Sequence, residues 1–114
     1  MAEFIQAATG SERIALAFGG RAVGYQEFSA RVAVLARDLI LRGVGPDVAV
    51  AVSIDRSVEL LVAIHAVVAA GGHYVPLDPE APADRVEYML RTSGARIVLV
   101  AGDDAVDYDF FEIP

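Results

Sequence analysis

The sequence predicts an α/β fold in which a short N-terminal hairpin precedes βαβαβ units around a mostly parallel sheet. Two observations lead to this prediction. Short runs rich in β-branched residues alternate along the chain with longer runs of helical periodicity. Residues 48–54 are almost continuously apolar, which is typical of a strand covered on both faces, as in a parallel sheet.

The N-terminal segment predicts a hairpin. Residues 14–18 and 21–23 are short and largely apolar, and the Gly-Gly pair between them favours a two-residue hairpin turn. Residues 1–12 are expected to be a lead-in, with a short helix around residues 4–8. The hairpin therefore precedes the alternating strands and helices.

A long amphipathic helix is predicted over residues 25–42, and Gly43 suits a C-terminal glycine cap. Two acid–base pairs spaced four residues apart are expected on its exposed face, Glu27 with Arg31 and Asp38 with Arg42. One apolar stripe at helical spacing is expected to be buried, and it comprises Phe28, Val32, Leu35 and Leu39.

The segments that follow predict the buried centre of the fold. Residues 48–54 form a strand, and either Asp55 or Ser57 can cap the next helix, which is predicted over residues 58–70. Because this helix is apolar nearly all round, we expect it to be buried between layers. A Gly-Gly pair then ends it.

The last predicted elements are two strands and a helix. Residues 74–77 indicate a short strand, and Pro76 is expected at a sheet edge or end because proline lacks a backbone donor. A helix over residues 82–93 and a strand over residues 95–100 complete the alternation.

Residues 102–114 are expected to be an acidic tail that is partly mobile. This segment contains no positive residue, and its acids are Asp103, Asp104, Asp107, Asp109 and Glu112.

The composition excludes several functions. A net charge of −7 disfavours nucleic acid as a partner, and no basic patch is present. The chain contains no lysine and no cysteine, which removes Schiff-base chemistry, disulfides and thiolate metal sites. The longest apolar segment, residues 60–70, is too short to span a bilayer, so no membrane contact is expected. These features fit a cytoplasmic protein.

The two histidines are the first candidates for catalysis. His65 lies within an apolar helical segment, where a hydrogen-bonded core or interface role is more common than catalysis. His73 follows a helix end, where the helix dipole favours a positive charge, so a local structural role is more common than a site. No serine lies in a Gly-x-Ser-x-Gly setting, so a catalytic triad is not indicated.

Phosphate and metal sites are not indicated either. The pair Gly71-Gly72 follows a helix instead of opening one, so no helix N-terminus points at a phosphate there. The segment Thr92-Ser93-Gly94 is interpreted as a helix C-cap. The acids of the tail do not have calcium-loop spacing, and a solvated tail is the simpler interpretation. We therefore predict no catalytic, cofactor-binding or metal-binding residue in this chain.

Two ordered motifs resemble those of adenylation domains of nonribosomal peptide synthetases. The segment Val23-Gly-Tyr-Gln-Glu-Phe28 resembles the first core motif, in which Tyr25 and Glu27 match and Gly24 departs. The segment Val68-Ala-Ala-Gly-Gly-His-Tyr-Val-Pro-Leu-Asp78 resembles the second. Its matching residues are Ala70, Gly71, Tyr74, Val75, Pro76 and Asp78, whereas Ala69 replaces the usual lysine and His73 the usual alanine.

The resemblance implies that residues 1–114 are the N-terminal fragment of an adenylation domain. In the full enzyme, ATP and Mg²⁺ activate an amino acid as its adenylate, and a phosphopantetheine carrier accepts the acyl group. The resemblance places the phosphate loop, the substrate pocket and the mobile lysine-bearing lobe downstream of these motifs. We therefore expect a structural role, no activity from this chain alone, and as partners the remainder of the domain and the adjacent synthetase domains.

Two alternatives remain open at this stage. The chain could be a fragment of an acyl-CoA or aryl-acid ligase of the same superfamily. It could also be a free-standing interaction module on this fold. As a fragment it is expected to expose apolar patches and to self-associate, for instance through unprotected sheet edges.

Overall fold

A computed structural model describes residues 14–18, 21–101 and 108–113. The expected lead-in, the Gly-Gly hairpin turn and residues 102–107 lie outside the described residues. The strands are β1 (Ile14–Phe18), β2 (Arg21–Gly24), β3 (Ala49–Ser53), β4 (His73–Pro76), β5 (Ile97–Ala101) and β6 (Tyr108–Glu112). The helices are α1 (Tyr25–Leu41), α2 (Val58–Ala69) and α3 (Ala83–Ser93).

The described strands form a hairpin and a mixed sheet, which confirms the predicted fold class. β1 and β2 pair antiparallel, whereas the main sheet has the strand order β4-β3-β5-β6. β3 lies between β4 and β5 and is parallel to both, and β6 pairs antiparallel with β5. Helix α2 connects β3 to β4 and helix α3 connects β4 to β5, as expected for βαβ units.

Strand β3 is the buried centre of the sheet. Ala49, Val50, Ala51 and Val52 are each at most 3 % exposed, so both faces of the strand are covered. Val50 and Val52 belong to the larger core cluster, which contains residues of α1 and α2. Ala49 and Ala51 belong to a smaller cluster that α3 contacts. Burial on both faces therefore explains the continuous apolar run of β3, as was predicted.

Helix α1 buries most of its predicted stripe. Phe28, Leu35 and Leu39 are buried, and Val32 is half-buried against the same core. The predicted ion pair between Asp38 and Arg42 is present, with 3.0 Å between Oδ1 and Nε. The predicted pair between Glu27 and Arg31 was wrong, because Arg31 pairs with Glu59 of α2 instead.

Helix α2 is buried along much of its surface but not all round. Val58, Leu61, Val62, Ala66 and Val67 are buried in the core. Val68, at the end of the helix, is 59 % exposed, so the expectation of complete burial between layers was wrong there. Because α2 is apolar on nearly all sides, its sequence did not distinguish the side that faces the core from the exposed position of Val68.

The helix ends use local polar groups and glycines. Ser57 caps α2, because its Oγ accepts from the backbone N–H of Leu60 at 3.2 Å. Gly94 follows α3 in the left-handed conformation, with φ 72°, as expected of a C-terminal cap. Pro82 is the N-cap of α3, one position before the first helical position that was predicted for it.

Pro76 lies on the outer side of an edge strand of the described sheet. The backbone N–H groups of His73 and Leu77 donate to Val48 and Val52. Because donors alternate along a strand, the nitrogen of Pro76 faces away from β3, where the missing donor costs no ladder bond. The predicted edge position is confirmed.

Strand β6 was not predicted from the sequence, which was interpreted as an acidic tail from residue 102 onward. Its residues pair with β5 along the full length of both strands, from Ile97 opposite Glu112 to Ala101 opposite Tyr108. Tyr108 and Phe110 on one face pack against the main core. The acidic residues of this segment led to its interpretation as a solvated tail, although three of the five residues of β6 are aromatic. The mobility expected of residues 102–114 stays a prediction.

Gly72 is held in a close approach to the backbone that leads into β3. A Cβ at position 72 would lie 2.8 Å from Cγ1 of Val44 and 2.8 Å from the carbonyl oxygen of Val48. Both atoms belong to buried or half-buried residues in the turn before β3. A residue larger than glycine therefore does not fit at position 72 without displacing these atoms.

We predict that Gly72→Ala lowers the free energy of unfolding by about 2 kcal/mol, because the carbonyl group cannot move without disturbing β3. Urea denaturation followed by circular dichroism measures the effect.

Gly45→Ala is the matched control for this prediction, because a Cβ added at that position would have no neighbouring atom within 4 Å. Its unfolding free energy should stay within about 0.5 kcal/mol of the parent. Equal effects of the two substitutions would contradict the steric explanation.

Candidate functional site

The most prominent polar cluster lies where α1, α2 and β6 meet. Nη2 of Arg31 lies 3.3 Å from Oε2 of Glu59, and the two side chains are 15 % and 7 % exposed. Nη1 of Arg31 is buried and has no hydrogen-bond partner among the described residues. The pair joins the middle of α1 to the first turn of α2, so its main effect is to fix the relative position of the two helices.

Strand β6 is attached to this cluster through side chains. The hydroxyl of Tyr108 donates to the backbone carbonyl of Glu59 at 2.8 Å. The guanidinium of Arg42 lies 3.8 Å from the centre of the Phe110 ring, in a cation–π contact, while it also binds Asp38. The strand is thus held by both helices as well as by β5.

A cavity of about 510 Å³ lies between α1 and β6. Its lining includes Ala30, Arg31, Val34, Tyr108 and Phe110. Nη2 of Arg31 and the hydroxyl of Tyr108 already bond to Glu59, whereas Nη1 of Arg31 has no hydrogen-bond partner among the described residues. The cavity thus combines apolar side chains with the charged side chains of Arg31, Asp38 and Asp109, and no serine or histidine is among the described residues that line it.

The two histidines occupy structural positions. His65 is half-buried, and its Nδ1 lies 2.8 Å from the carbonyl oxygen of Leu61, to which it donates. Its ring meets Phe28 edge-on at a centroid distance of 5.3 Å. His73 is exposed at the start of β4, and its backbone N–H donates to Val48. These contacts agree with the interface and local roles that were preferred over catalysis.

The remaining candidates also serve local structure. Ser93 Oγ donates to the carbonyl of Leu90 and accepts from the N–H of Ala95, beside the left-handed Gly94. The interpretation of this segment as a helix C-cap is therefore supported. Asp109 lies exposed on β6, whereas Asp103, Asp104 and Asp107 lie outside the described residues.

The residues of the second motif form a strand and a turn. Asp78 Oδ1 accepts from the N–H of Glu80 at 2.9 Å, and its carbonyl accepts from Ala81 at 3.0 Å. Leu77 is buried beneath this turn, in the smaller core cluster. The motif thus directs the chain from the edge strand β4 into α3.

A magnesium ion needs clustered oxygen ligands, and a phosphate needs free backbone donors such as those at a helix N-terminus. No group of three acidic or histidine side chains among them could hold a metal ion. The first turn of α2 is capped by Ser57, and the N–H of Arg85 in α3 is bonded to Pro82 and Asp84. No chemical step involving ATP or Mg²⁺ follows from these residues. That the chain supplies no catalytic or binding residue stays a prediction.

None of the helices within the described ranges is both long enough and apolar enough to cross a membrane.

The chain belongs to the AMP-binding enzyme family, whose model matches residues 4–111. It corresponds to an N-terminal portion of a nonribosomal peptide synthetase adenylation domain.

Sequence relatives are large synthetases. The chain is 44 % identical over 94 residues to tyrocidine synthase 1 of Brevibacillus parabrevis, which is 82 % of this chain and 9 % of that protein. It is 43 % identical over 96 residues to bacitracin synthase 3 of Bacillus licheniformis, which is 84 % of this chain and 2 % of that protein. The chain therefore spans less than a tenth of these relatives.

Solved structures agree with this assignment. The N-terminal subdomain of NpsA from Klebsiella oxytoca, bound to 3-hydroxyanthranilyl-AMSN, matches with a TM-score of 0.75 at 28 % identity, over 91 % of this chain and 26 % of that one. The nonribosomal peptide synthetase FmoA3 with bound α-methyl-L-serine-AMP matches with a TM-score of 0.79 at 32 % identity, over 87 % and 11 %. In each case this chain equals only part of the matched polypeptide.

Sequence reasoning missed the cluster of Arg31, Glu59 and Tyr108. A signal was available, because Glu59 lies in a helix that is apolar nearly all round, and a buried carboxylate needs a charged partner. The four-residue spacing predicted Glu27 as the partner of Arg31 instead. Pairs within one helix can be predicted from spacing, whereas pairs between helices cannot. Tyr108 had no signal, because its strand was not recognised.

We predict that Arg31→Met lowers the free energy of unfolding by about 2–3 kcal/mol, because it removes a charged hydrogen-bond partner of the buried carboxylate of Glu59. Urea denaturation measures this change.

Arg91→Met serves as the control, because Arg91 forms an exposed pair with Glu87 at 3.8 Å. That substitution should cost less than about 1 kcal/mol. If both arginine substitutions had similar costs, burial of the first pair would not be the reason for its effect.

A second prediction concerns the attachment of β6. Tyr108→Phe should lower the free energy of unfolding by about 1 kcal/mol, because the carbonyl of Glu59 loses a donor while the ring remains. Tyr88→Phe, on the exposed side of α3, should change stability by less than about 0.5 kcal/mol. A Tyr108→Phe variant as stable as the parent would show that the hydroxyl adds nothing.

Proposed function

We propose that this chain forms the structural N-terminal part of an amino-acid-activating adenylation domain and does not activate an amino acid by itself. The observation that supports this most directly is the 44 % identity to tyrocidine synthase 1 over 94 residues, a stretch long enough to include both motifs. Several side-chain hydrogen bonds of the described residues serve caps, turns and contacts between elements, which suits a scaffold.

In this proposal the full enzyme supplies the chemistry. ATP, Mg²⁺ and a carrier-bound phosphopantetheine belong to the complete protein, and residues outside this chain bind them. The partners are the remainder of the adenylation domain and the adjacent synthetase domains. One solved structure, NpsA-ThdA, is an artificially fused adenylation–PCP di-domain, which this chain matches with a TM-score of 0.76. We propose a cytoplasmic location and self-association when the chain is separated from its partners.

A second candidate is a fragment of an aryl-acid-activating enzyme. The NpsA subdomain is bound to an anthranilyl-type compound, and its fold matches this chain well. The identity to NpsA is 28 %, however, against 44 % to tyrocidine synthase 1. The higher identity therefore favours an amino-acid-activating domain over an aryl-acid-activating one, and NpsA-ThdA is itself a nonribosomal peptide synthetase di-domain. A free-standing interaction module has no specific observation in its favour.

The experiment transplants the chain into a relative. Residues 1–114 replace the matching segment of the tyrocidine synthase 1 adenylation domain, and amino-acid-dependent ATP–pyrophosphate exchange is measured. We expect the chimera to be active with the same amino acid as the unmodified host, because the chain contributes scaffold and not the substrate pocket. The isolated chain should show no exchange above background.

A host lacking the segment is the control and should be inactive. Exchange catalysed by the isolated chain would contradict the proposal. A change in the preferred amino acid of the chimera would also contradict it, since a scaffold should not select the substrate.

A further inference from the structure

Strand β6 is an outer strand of the main sheet among the described strands, because the strand order is β4-β3-β5-β6. The backbone N–H of Ile113 donates to the carbonyl of Arg96 at 2.9 Å, which continues the pairing of β6 with β5. Since backbone groups alternate in direction along a strand, Phe111 also points its N–H and C=O groups at β5. Phe110 and Glu112 therefore point theirs outward, away from β5.

The two outer strands of the described sheet are not equally protected. Natural proteins block edge strands with proline, lysine, bulges or inward-pointing charges. On β4, one outward nitrogen belongs to Pro76 and carries no hydrogen. Strand β6 contains neither proline nor lysine, and three of its five residues are aromatic, a residue type enriched in strands. A further strand can therefore continue the hydrogen-bond ladder along β6 but not along the whole of β4.

The sequence of β6 is complementary to itself in an antiparallel pair. When Phe110 of one copy lies opposite Phe110 of another, the two residues exchange two backbone hydrogen bonds. In this register Asp109 lies opposite Phe111, and Glu112 lies opposite Tyr108. Each carboxylate thus faces an aromatic side chain, whereas a pair centred on Asp109 would place two carboxylates directly opposite each other, which is destabilising. The register centred on Phe110 is therefore favoured.

Positive charges beside β6 offset part of the repulsion between two acidic chains. Each chain has a net charge of −7, which opposes association. The guanidinium of Arg42, however, lies 3.8 Å from the centre of the Phe110 ring. Arg42 and Arg96 also line, together with Glu112, a cavity of about 270 Å³ at the end of β6. The edge itself is therefore less acidic than the chain as a whole.

The face of β6 toward α1 adds an apolar contribution. In the self-paired register the Phe110 side chains of both copies point to this face, because the two strands belong to one continuous sheet. The cavity between α1 and β6 borders the same edge and is lined by Ala30 and by Val34, which is 72 % exposed. A second β6 strand at this edge therefore removes apolar surface from water.

We propose that two copies of this chain associate by antiparallel pairing of their β6 strands, across a two-fold axis at Phe110. The pairing joins the two four-stranded sheets into one. This inference names the surface that carries the self-association proposed for the separated chain, and it rests on that part of the proposed function. A two-fold axis that applies the same surface on both copies is the commonest symmetry of soluble oligomers.

The test places opposite charges at position 111 of the full chain, because this position faces Asp109 in the proposed register. Phe111 is 57 % exposed, so Phe111→Glu and Phe111→Arg are expected to fold, which circular dichroism checks. Sedimentation equilibrium at one salt concentration measures the dimer dissociation constant of each variant. Tyr88→Glu and Tyr88→Arg, at a position of α3 that is 58 % exposed, change the net charge equally but away from β6.

We expect the dissociation constant of Phe111→Glu to be about tenfold higher than that of Phe111→Arg, because each dimer contains two like-charged pairs in the first variant and two opposite-charged pairs in the second. The two Tyr88 variants should differ by less than about twofold, since salt screens charges that lie far from the pairing edge. Equal constants for the two Phe111 variants would overturn the inference. A parent chain that sediments as a monomer up to its solubility limit would also overturn it.

A second measurement tests the register if a charged variant does not fold. The chain has no cysteine, so chains carrying Asp109→Cys and chains carrying Phe111→Cys are mixed and oxidised. We expect more disulfide between these two variants than between Tyr88→Cys and Phe111→Cys, because the Cβ atoms of directly opposite residues lie about 4.5–5.5 Å apart. Equal yields of the two disulfides would contradict the proposed pairing.

The dimer and the proposed function fail in different ways. A monomeric chain without ATP–pyrophosphate exchange keeps the scaffold role and removes the dimer. A dimeric chain that catalyses the exchange keeps the dimer and removes the scaffold role.

Discussion

Burial of β3 on both faces is the constraint on which the rest of the described structure depends. The strand alternates alanine and valine, and this alternation matches the two layers that cover it. The valines meet residues of α1 and α2 in the larger core, whereas the alanines leave room for the half-buried side chains of α3. Since β3 pairs with both β4 and β5, its position sets the register of the parallel part of the sheet.

The close approach at Gly72 serves the same strand. The residue lies against the turn at Val44 and Val48, which leads directly into β3. A side chain there would push the start of β4 away from its partner. The second sequence motif therefore reports packing. Gly72 is required by its close approach to the turn before β3, and Asp78 forms the turn that leads into α3.

A buried ion pair is an unusual way to join two helices, because desolvation of both charges opposes the attraction between them. Arg31 and Glu59 nevertheless link α1 to α2, and Tyr108 links β6 to the same place through the carbonyl of Glu59. The scaffold is thus fixed by a few polar contacts set within an apolar core. What it presents outward is a partly covered sheet and exposed apolar side chains such as Leu41 and Phe111, as expected of part of a larger domain.

The sequence by itself determined the fold class, the order of nearly all the elements and the family, because period, glycine and proline positions and the two motifs are local signals. It located the glycine cap of α3 and the edge position of Pro76 for the same reason, whereas it left Asp55 and Ser57 as alternative caps of α2 and placed Pro82 one position too far into α3. It did not identify β6, whose acidic residues resembled a solvated tail, nor the partner of Arg31. Both depend on segments distant in sequence that meet only when the sheet forms: Glu59 approaches Arg31 because α1 and α2 pack on one face, and Tyr108 reaches Glu59 because β6 adds to β5. Tertiary structure also decided that β6 is an outer strand of the described sheet, since the strand order depends on pairing between distant segments.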